Sequence, residues 1–205
     1  MLYLIEKLIS PSCPISEVIE LNNLLINAEC VHKLLGKLFN HPGDSNWRSK
    51  YNILYRQQGP AKWLVSSDRP INQEAANNCG IKYSVLEPQS VKAGDKLRLI
   101  VSASTYRKES GAKNRTFIKT PEARKLCIET KLSRGGQCDI LSMKELSRVK
   151  QHMQHEDISK GSSDLTGYDY ECEVRVKDEA GFKELLRCGI GPEKSYGFGL
   201  IEVKR

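Results

Sequence analysis

The chain has 205 residues, enough for one large domain or two small ones. Hydrophobic residues make up 39% and charged residues 28%, a balance that excludes a disordered chain and fits a globular one. The formal net charge of +7 favours an acidic partner, most commonly nucleic acid, and no apolar run approaches the ~20 residues of a membrane span. Glu6 and Lys7 interrupt the first apolar run, so no signal peptide is read there. Seven cysteines lie scattered at 13, 30, 79, 127, 138, 172 and 188. An odd number without a C-x-x-C pair indicates neither a disulfide framework nor a zinc ribbon, and free thiols point to a reducing cytoplasm.

Met1–Ile9 is short, apolar and followed by Pro11 and Pro14, which predicts a strand. An extra turn or short helix is expected around Glu17–Ile26, and residues 29–39 follow a helical period. Lys50–Gln57 and Lys62–Ser67 read as a hairpin joined by Gln58-Gly59-Pro60-Ala61. Ile71–Asn78 is a short polar helix at best, and Ile81–Glu87 is a strand. That βαββαβ order is a ferredoxin-like unit, expected over residues 1–90.

Pro88–Gly94 is the expected boundary, and the order then repeats over 95–205. Lys96–Ser104 is a strand. Pro121–Arg134 is a helix, with Thr120 as its N-cap, Pro121 in its first turn and Gly135-Gly136 as its stop. Cys138–Ser142 reads as a strand, and a polar, histidine-containing stretch is expected over 143–165. Asp169–Val176 alternates as a strand, Glu179–Cys188 is a short helix, and Leu200–Val203 is the last strand. The fold class is therefore α+β, two ferredoxin-like domains in tandem.

Two groups of residues invite chemistry. On a helix over 31–39, Val31, Leu34, Leu35, Leu38 and Phe39 share one face, and His32 sits at its edge. A histidine packed on one side and open on the other suits proton transfer; a boundary histidine without a role is the plain alternative. Second, Lys96, Arg98, Arg107, Lys108, Lys113, Arg115 and Lys119 stand against one acid, Glu109, and Ser110-Gly111-Ala112 makes the middle a flexible hairpin. Such a hairpin would contact phosphates, with Tyr106 and Phe117 available for stacking; a solvated loop is the alternative. His152 and His155 have helical spacing but no third ligand nearby, Cys30 and His32 do not face each other on a helix, and His41 is a loop residue. Neither a metal nor a cofactor is expected.

The richest segment is Gly189-Ile-Gly-Pro-Glu-Lys-Ser-Tyr-Gly-Phe-Gly-Leu200. Four glycines and a proline in 189–199 exclude an ordinary helix or strand. Its amides with Lys194 and Ser195 suit a phosphate or a nucleic-acid backbone; a glycine-rich turn between helix and strand is the alternative. The spacing fails that of a P-loop.

The pattern G-I-G-x-x-K-S-x-G-x-G-L resembles the signature loop of the RAMP superfamily of CRISPR proteins. Within it the chain is most similar to the CasE (Cse3) type of repeat endoribonuclease, through Met1–Ile9, His32–Phe39, Asn52–Arg56, Lys62–Ser67, Lys96–Val101 and the basic stretch Lys113–Ala123. The resemblance implies metal-independent cleavage of CRISPR repeat hairpins into guide RNAs, by attack of the ribose 2′-hydroxyl on the adjacent phosphate. It puts the catalytic histidine at His32 and a basic neighbour at Lys33. Where the family has a tyrosine three residues earlier, this chain has Glu29, a carboxylate that could orient His32 but would repel a phosphate. The resemblance also implies that Arg98, Arg107, Lys108, Lys113, Arg115, Lys119, Lys194 and Ser195 hold the RNA stem. Ser102-Ala103-Ser104-Thr105 stands where the family carries Arg-Ala-Asn-Pro. The implied partners are the repeat RNA and the subunits of a Cascade-like effector complex, with no membrane. A non-catalytic RAMP subunit that holds guide RNA is the second reading, and an RNA-binding protein outside CRISPR the third.

Overall fold

The computed structural model describes residues 1–8, 14–39, 50–87, 89–107, 116–154 and 161–204. Strand β1 (Leu2–Lys7) alternates, with Tyr3, Ile5 and Lys7 buried. It is a central strand, paired antiparallel with β3 (Lys62–Ser66) on one side and β4 (Ile81–Leu86) on the other. β2 (Leu54–Gly59) pairs with β3, so the sheet order is β2-β3-β1-β4. Helices α1 (Ile15–Ile26) and α2 (Ala28–Leu38) lie between β1 and β2 in the chain, and α3 (Gln73–Asn78) between β3 and β4. The register sets Ile5 opposite both Trp63 and Tyr83, and Trp63, Leu35, Leu38 and Phe39 complete the core around it. The one buried cation of β1, Lys7, is satisfied: its Nζ donates to Cys79 O at 2.6 Å and to Glu20 Oε2 at 3.2 Å.

The second sheet repeats this plan. β5 (Lys96–Ser104) lies between β10 (Ile201–Lys204) and β9 (Ser162–Val176), and β8 (Cys138–Gln154) is outside β9, giving β10-β5-β9-β8. Helix α4 (Pro121–Leu132) precedes β8, and α5 (Glu179–Cys188) precedes β10. Both sheets have the ferredoxin-like order, fourth-first-third-second strand, so the chain is α+β with two such units in tandem. Leu99, Val101 and Ala103 of β5 are fully buried opposite Cys172, Tyr170 and Tyr168 of β9. Thr120 caps α4 as expected, its Oγ1 accepting from Ala123 N at 3.4 Å, and the helix ends two residues before Arg134. A short ladder joins β6 (Tyr106–Arg107) to β7 (Thr116–Phe117), the foot of the expected basic hairpin.

The stretch expected to be polar and histidine-containing, 143–165, is strand over most of its described length: β8 runs on to Gln154 and β9 starts at Ser162. Both strands carry many exposed residues here, so apolar alternation is weak. Cross-strand polar pairs take its place, Ser142 with Glu173, Arg148 with Thr166 and His152 with Asp164. Two compact units result. The first comprises Met1–Pro88 with Gln151–Leu165 and Ser195–Gly197, the second Gln89–Lys150 with Thr166–Lys194 and Phe198–Arg205. No helix among the described residues is long and apolar enough to cross a membrane.

Candidate active site

In the first unit, helix α2 presents Val31, Leu34, Leu35 and Leu38 to the core, all buried. Burying four such side chains contributes about 1.5–3 kcal/mol each, which fixes the rotation of the helix about its axis. That rotation leaves Glu29, His32 and Lys33 half-buried along the margin. The start of the helix is fixed by Asn27, whose Oδ1 accepts from Glu29 N at 3.0 Å. The same side chain clamps the outer end of β8: Nδ2 donates to Gln154 O at 3.1 Å, and Gln154 N donates to Oδ1 at 3.2 Å.

The His32 ring has an aromatic neighbour. Tyr196 lies 6.1 Å away between ring centroids, tilted by 31°. It ends the single 3₁₀ turn Lys194–Tyr196 within the glycine-rich segment. Gly197 follows at φ +87°, and a Cβ there would stand 3.2 Å from Tyr55 Cε2 and 3.3 Å from Gln151 Nε2. The chain beside Tyr196 therefore lies directly on a buried core tyrosine, in a conformation and a space that suit glycine. Tyr196 was not among the expected site residues. Its only signal in the sequence is that it is an aromatic placed just before a glycine, and its nearness to His32 comes from tertiary folding across 164 residues.

In the second unit, the Lys194 amine turns inward, donating to Cys188 O at 2.6 Å and Gly189 O at 3.2 Å. These carbonyls end α5, where a cation is favourable, and burial pushes the Lys194 ammonium below its ordinary pKa. Gly199 is needed on steric grounds, because a Cβ there would meet Ile190 O at 2.5 Å. Its N–H donates to Ser102 O at 2.6 Å, and Ile190 N donates to Gly199 O at 2.9 Å, which closes the loop against β5. Ser195 is half-buried.

Among the expected RNA-binding residues, Lys119 is exposed, just after β7. Arg107 stands on β6, its backbone opposite Thr116. Lys108, Lys113 and Arg115 lie outside the described residues, as do His41 and His155. Arg98 is paired with the carboxylate of Glu171 on the neighbouring strand. Tyr106 and Phe117 pack edge to face on each other, 5.6 Å between centroids at 66°, so in this conformation they join the foot of the hairpin. His152 Nδ1 lies 2.7 Å from Asp164 Oδ1, and no cluster of three or more metal-ligating side chains occurs among the described residues.

A half-open imidazole on a packed helix, with a lysine beside it and an aromatic ring against it, is equipped for acid–base chemistry next to an anion. It stands in a chain with two ferredoxin-like units and a glycine-rich loop before the last strand. The chain belongs to the CRISPR-associated protein family, which it matches over residues 2–205. Solved structures share the fold along the whole chain. Thermus thermophilus Cse3, bound to an RNA representing a pre-cleavage complex, superposes with a TM-score of 0.78 at 18% identity, covering 100% of this chain and 99% of the other. Cas6e from Escherichia coli K-12 gives 0.67 at 16% identity, covering 99% and 98%. A chain of a CRISPR RNA-guided surveillance complex gives 0.65 at 16% identity, covering 98% and 97%. Curated protein sequences offer no match.

Proposed function

We propose that this protein is an endoribonuclease that cuts CRISPR repeat hairpins in precursor RNA to give guide RNAs. The ribose 2′-oxygen attacks the adjacent phosphorus, the bond from phosphorus to the 5′-oxygen breaks, and a 2′,3′-cyclic phosphate and a 5′-hydroxyl result. One proton leaves the 2′-hydroxyl and one reaches the departing 5′-oxygen; His32 carries one of these transfers. Lys33 supplies positive charge near the phosphate, and the reaction uses no metal. The observation that carries this reading is His32 itself, half-open on the margin of α2, in a chain of this family and fold.

The amino-terminal domain, 1–90, thus holds the catalytic helix, and the carboxy-terminal domain, 95–205, holds the stem of the RNA. Arg107, Lys108, Lys113, Arg115 and Lys119 contact its phosphates, whereas Arg98 and Lys194 would have to exchange Glu171 and the loop carbonyls for phosphate. Ser195 lies in the same loop. The protein stays on the product stem, works in the cytoplasm, and joins other subunits of a Cascade-like effector; a similar chain in a surveillance complex supports the last point. Glu29, a carboxylate one turn before His32, gives weight to the second reading, a subunit that holds guide RNA without cutting it.

The test compares the parent with His32→Ala on a hairpin repeat RNA. Cleavage should fall at least ~10²-fold, the low end for an acid–base group. Hairpin affinity should barely change, because in this reading the phosphate contacts of the stem are made by the basic residues of 107–119. Equal cleavage by both proteins would remove His32 from the mechanism. Tight binding without cleavage by the parent would favour the holding subunit.

A further inference from the structure

We infer that Tyr196 is a positioning residue: its ring confines the His32 imidazole to the orientation that its proton transfer needs. The inference rests on the nuclease reading above and adds a residue to it. His32 is half-buried on the margin of α2. Tyr196 occupies that neighbourhood, 6.1 Å between centroids with the planes 31° apart. This tilted arrangement brings ring against ring and limits rotation of the imidazole about its outer side-chain bond.

Both rings are carried by parts of the chain anchored to the same core. Helix α2 is held by Val31, Leu34, Leu35 and Leu38, and at its start by Asn27 on Gln154 of β8. Tyr196 is followed by Gly197, whose backbone sits against buried Tyr55 and against Gln151 of that same strand. A Cβ at 197 would crowd Tyr55 Cε2 at 3.2 Å, a fit that asks a neighbour to give by a few tenths of an ångström, and φ +87° is a conformation that other residues adopt at a cost. The glycine therefore brings the tyrosine ring close to the core and to His32. Proton transfer is sensitive to such placement, and a displacement of about 1 Å can cost ~10²-fold in rate.

The test uses the full chain as Tyr196→Leu and Tyr196→Phe, with three measurements: single-turnover cleavage of a hairpin repeat RNA, hairpin affinity, and the imidazole proton resonances of His32, assigned by their loss in His32→Gln. Tyr196→Leu should slow cleavage ~10–100-fold while Kd stays within ~2-fold, and Tyr196→Phe should restore the rate to within ~3-fold. The His32 resonances, shifted by a neighbouring ring current, should move in Tyr196→Leu and hold in Tyr196→Phe. Parental cleavage by Tyr196→Leu would overturn the inference. Failure of Tyr196→Phe to restore the rate would also overturn it, by moving the role from the ring to the hydroxyl. If the parent itself does not cut, the nuclease reading falls and takes this role with it. Unmoved resonances in Tyr196→Leu would overturn the inference too, by disproving the ring pairing on which it rests.

Discussion

Arg124 is the one buried charge among the described residues of the second unit, and its surroundings explain how it is tolerated. Glu145 receives it in a two-pronged pair, Nη2 to Oε1 at 2.7 Å and Nε to Oε2 at 3.0 Å, and Tyr170 donates to the same carboxylate at 3.0 Å. Tyr168 lies under the guanidinium, 4.0 Å from ring centroid to Cζ. The bonds from Arg124 and Tyr170 hold the Glu145 carboxyl below its ordinary pKa of 4.5. A depressed folded-state pKa contributes stability that is fully present above the unfolded value and lost as pH falls through the folded one. Glu145→Gln should destabilise the protein near neutral pH, toward the low end of the ~3–5 kcal/mol typical of a broken buried pair, since Glu145 is itself a quarter exposed. The gap between parent and variant in urea unfolding should narrow below about pH 4.5. A gap of the same size at pH 7 and pH 3.5 would show that the pair contributes no charge-dependent stability. At this scale the place of His32 on the margin of α2 was legible in the sequence, because a helical period assigns each residue to core or margin without knowledge of its neighbours. Tyr196 was not, because nothing local tells which residue of a glycine-rich loop will meet a helix 164 positions away.

Elements were legible where a local rule determines them. Strand β5 and helix α5 have the expected bounds, the first by apolar alternation and the second by an amphipathic turn sequence before Gly189. The β8–β9 hairpin was legible only at its inner end, since farther out its strands are bound by polar side chains that leave no period-two apolar signal. The outer end has an anchor in Asn27, which caps α2 and bonds the Gln154 backbone in both directions. Asn27→Ala should therefore cost more than a cap alone, for which ~1 kcal/mol is typical. Asn27→Asp keeps the cap acceptor and the bond from Gln154 N, and loses only the amide donor to Gln154 O. Denaturant unfolding should rank the proteins parent, Asn27→Asp, Asn27→Ala, in falling stability. Equal losses for both substitutions would mean that the cap adds nothing beyond the bond to Gln154 O.

For the whole molecule, the duplication of ferredoxin-like order was legible from element sequence, and both sheets carry the same strand order. Under the proposed function, the basic stretch 107–119 acts at this scale, through the electrostatics of RNA binding. Each phosphate contact adds roughly 0.7–0.9 to the slope of log affinity against log salt. Removing Arg115 and Lys119 together should flatten that slope by about one to two units and weaken hairpin binding. An unchanged slope would move the stem away from this hairpin. The central claim, a nuclease that cuts by 2′-hydroxyl attack without a metal, is tested most directly by incubating the parent protein with a hairpin repeat RNA in EDTA and identifying the product ends. The account predicts cleavage at a single bond, with a 2′,3′-cyclic phosphate on one fragment and a 5′-hydroxyl on the other. An intact hairpin in EDTA that is cut when magnesium is restored, or a 5′-phosphate on the product, would contradict it.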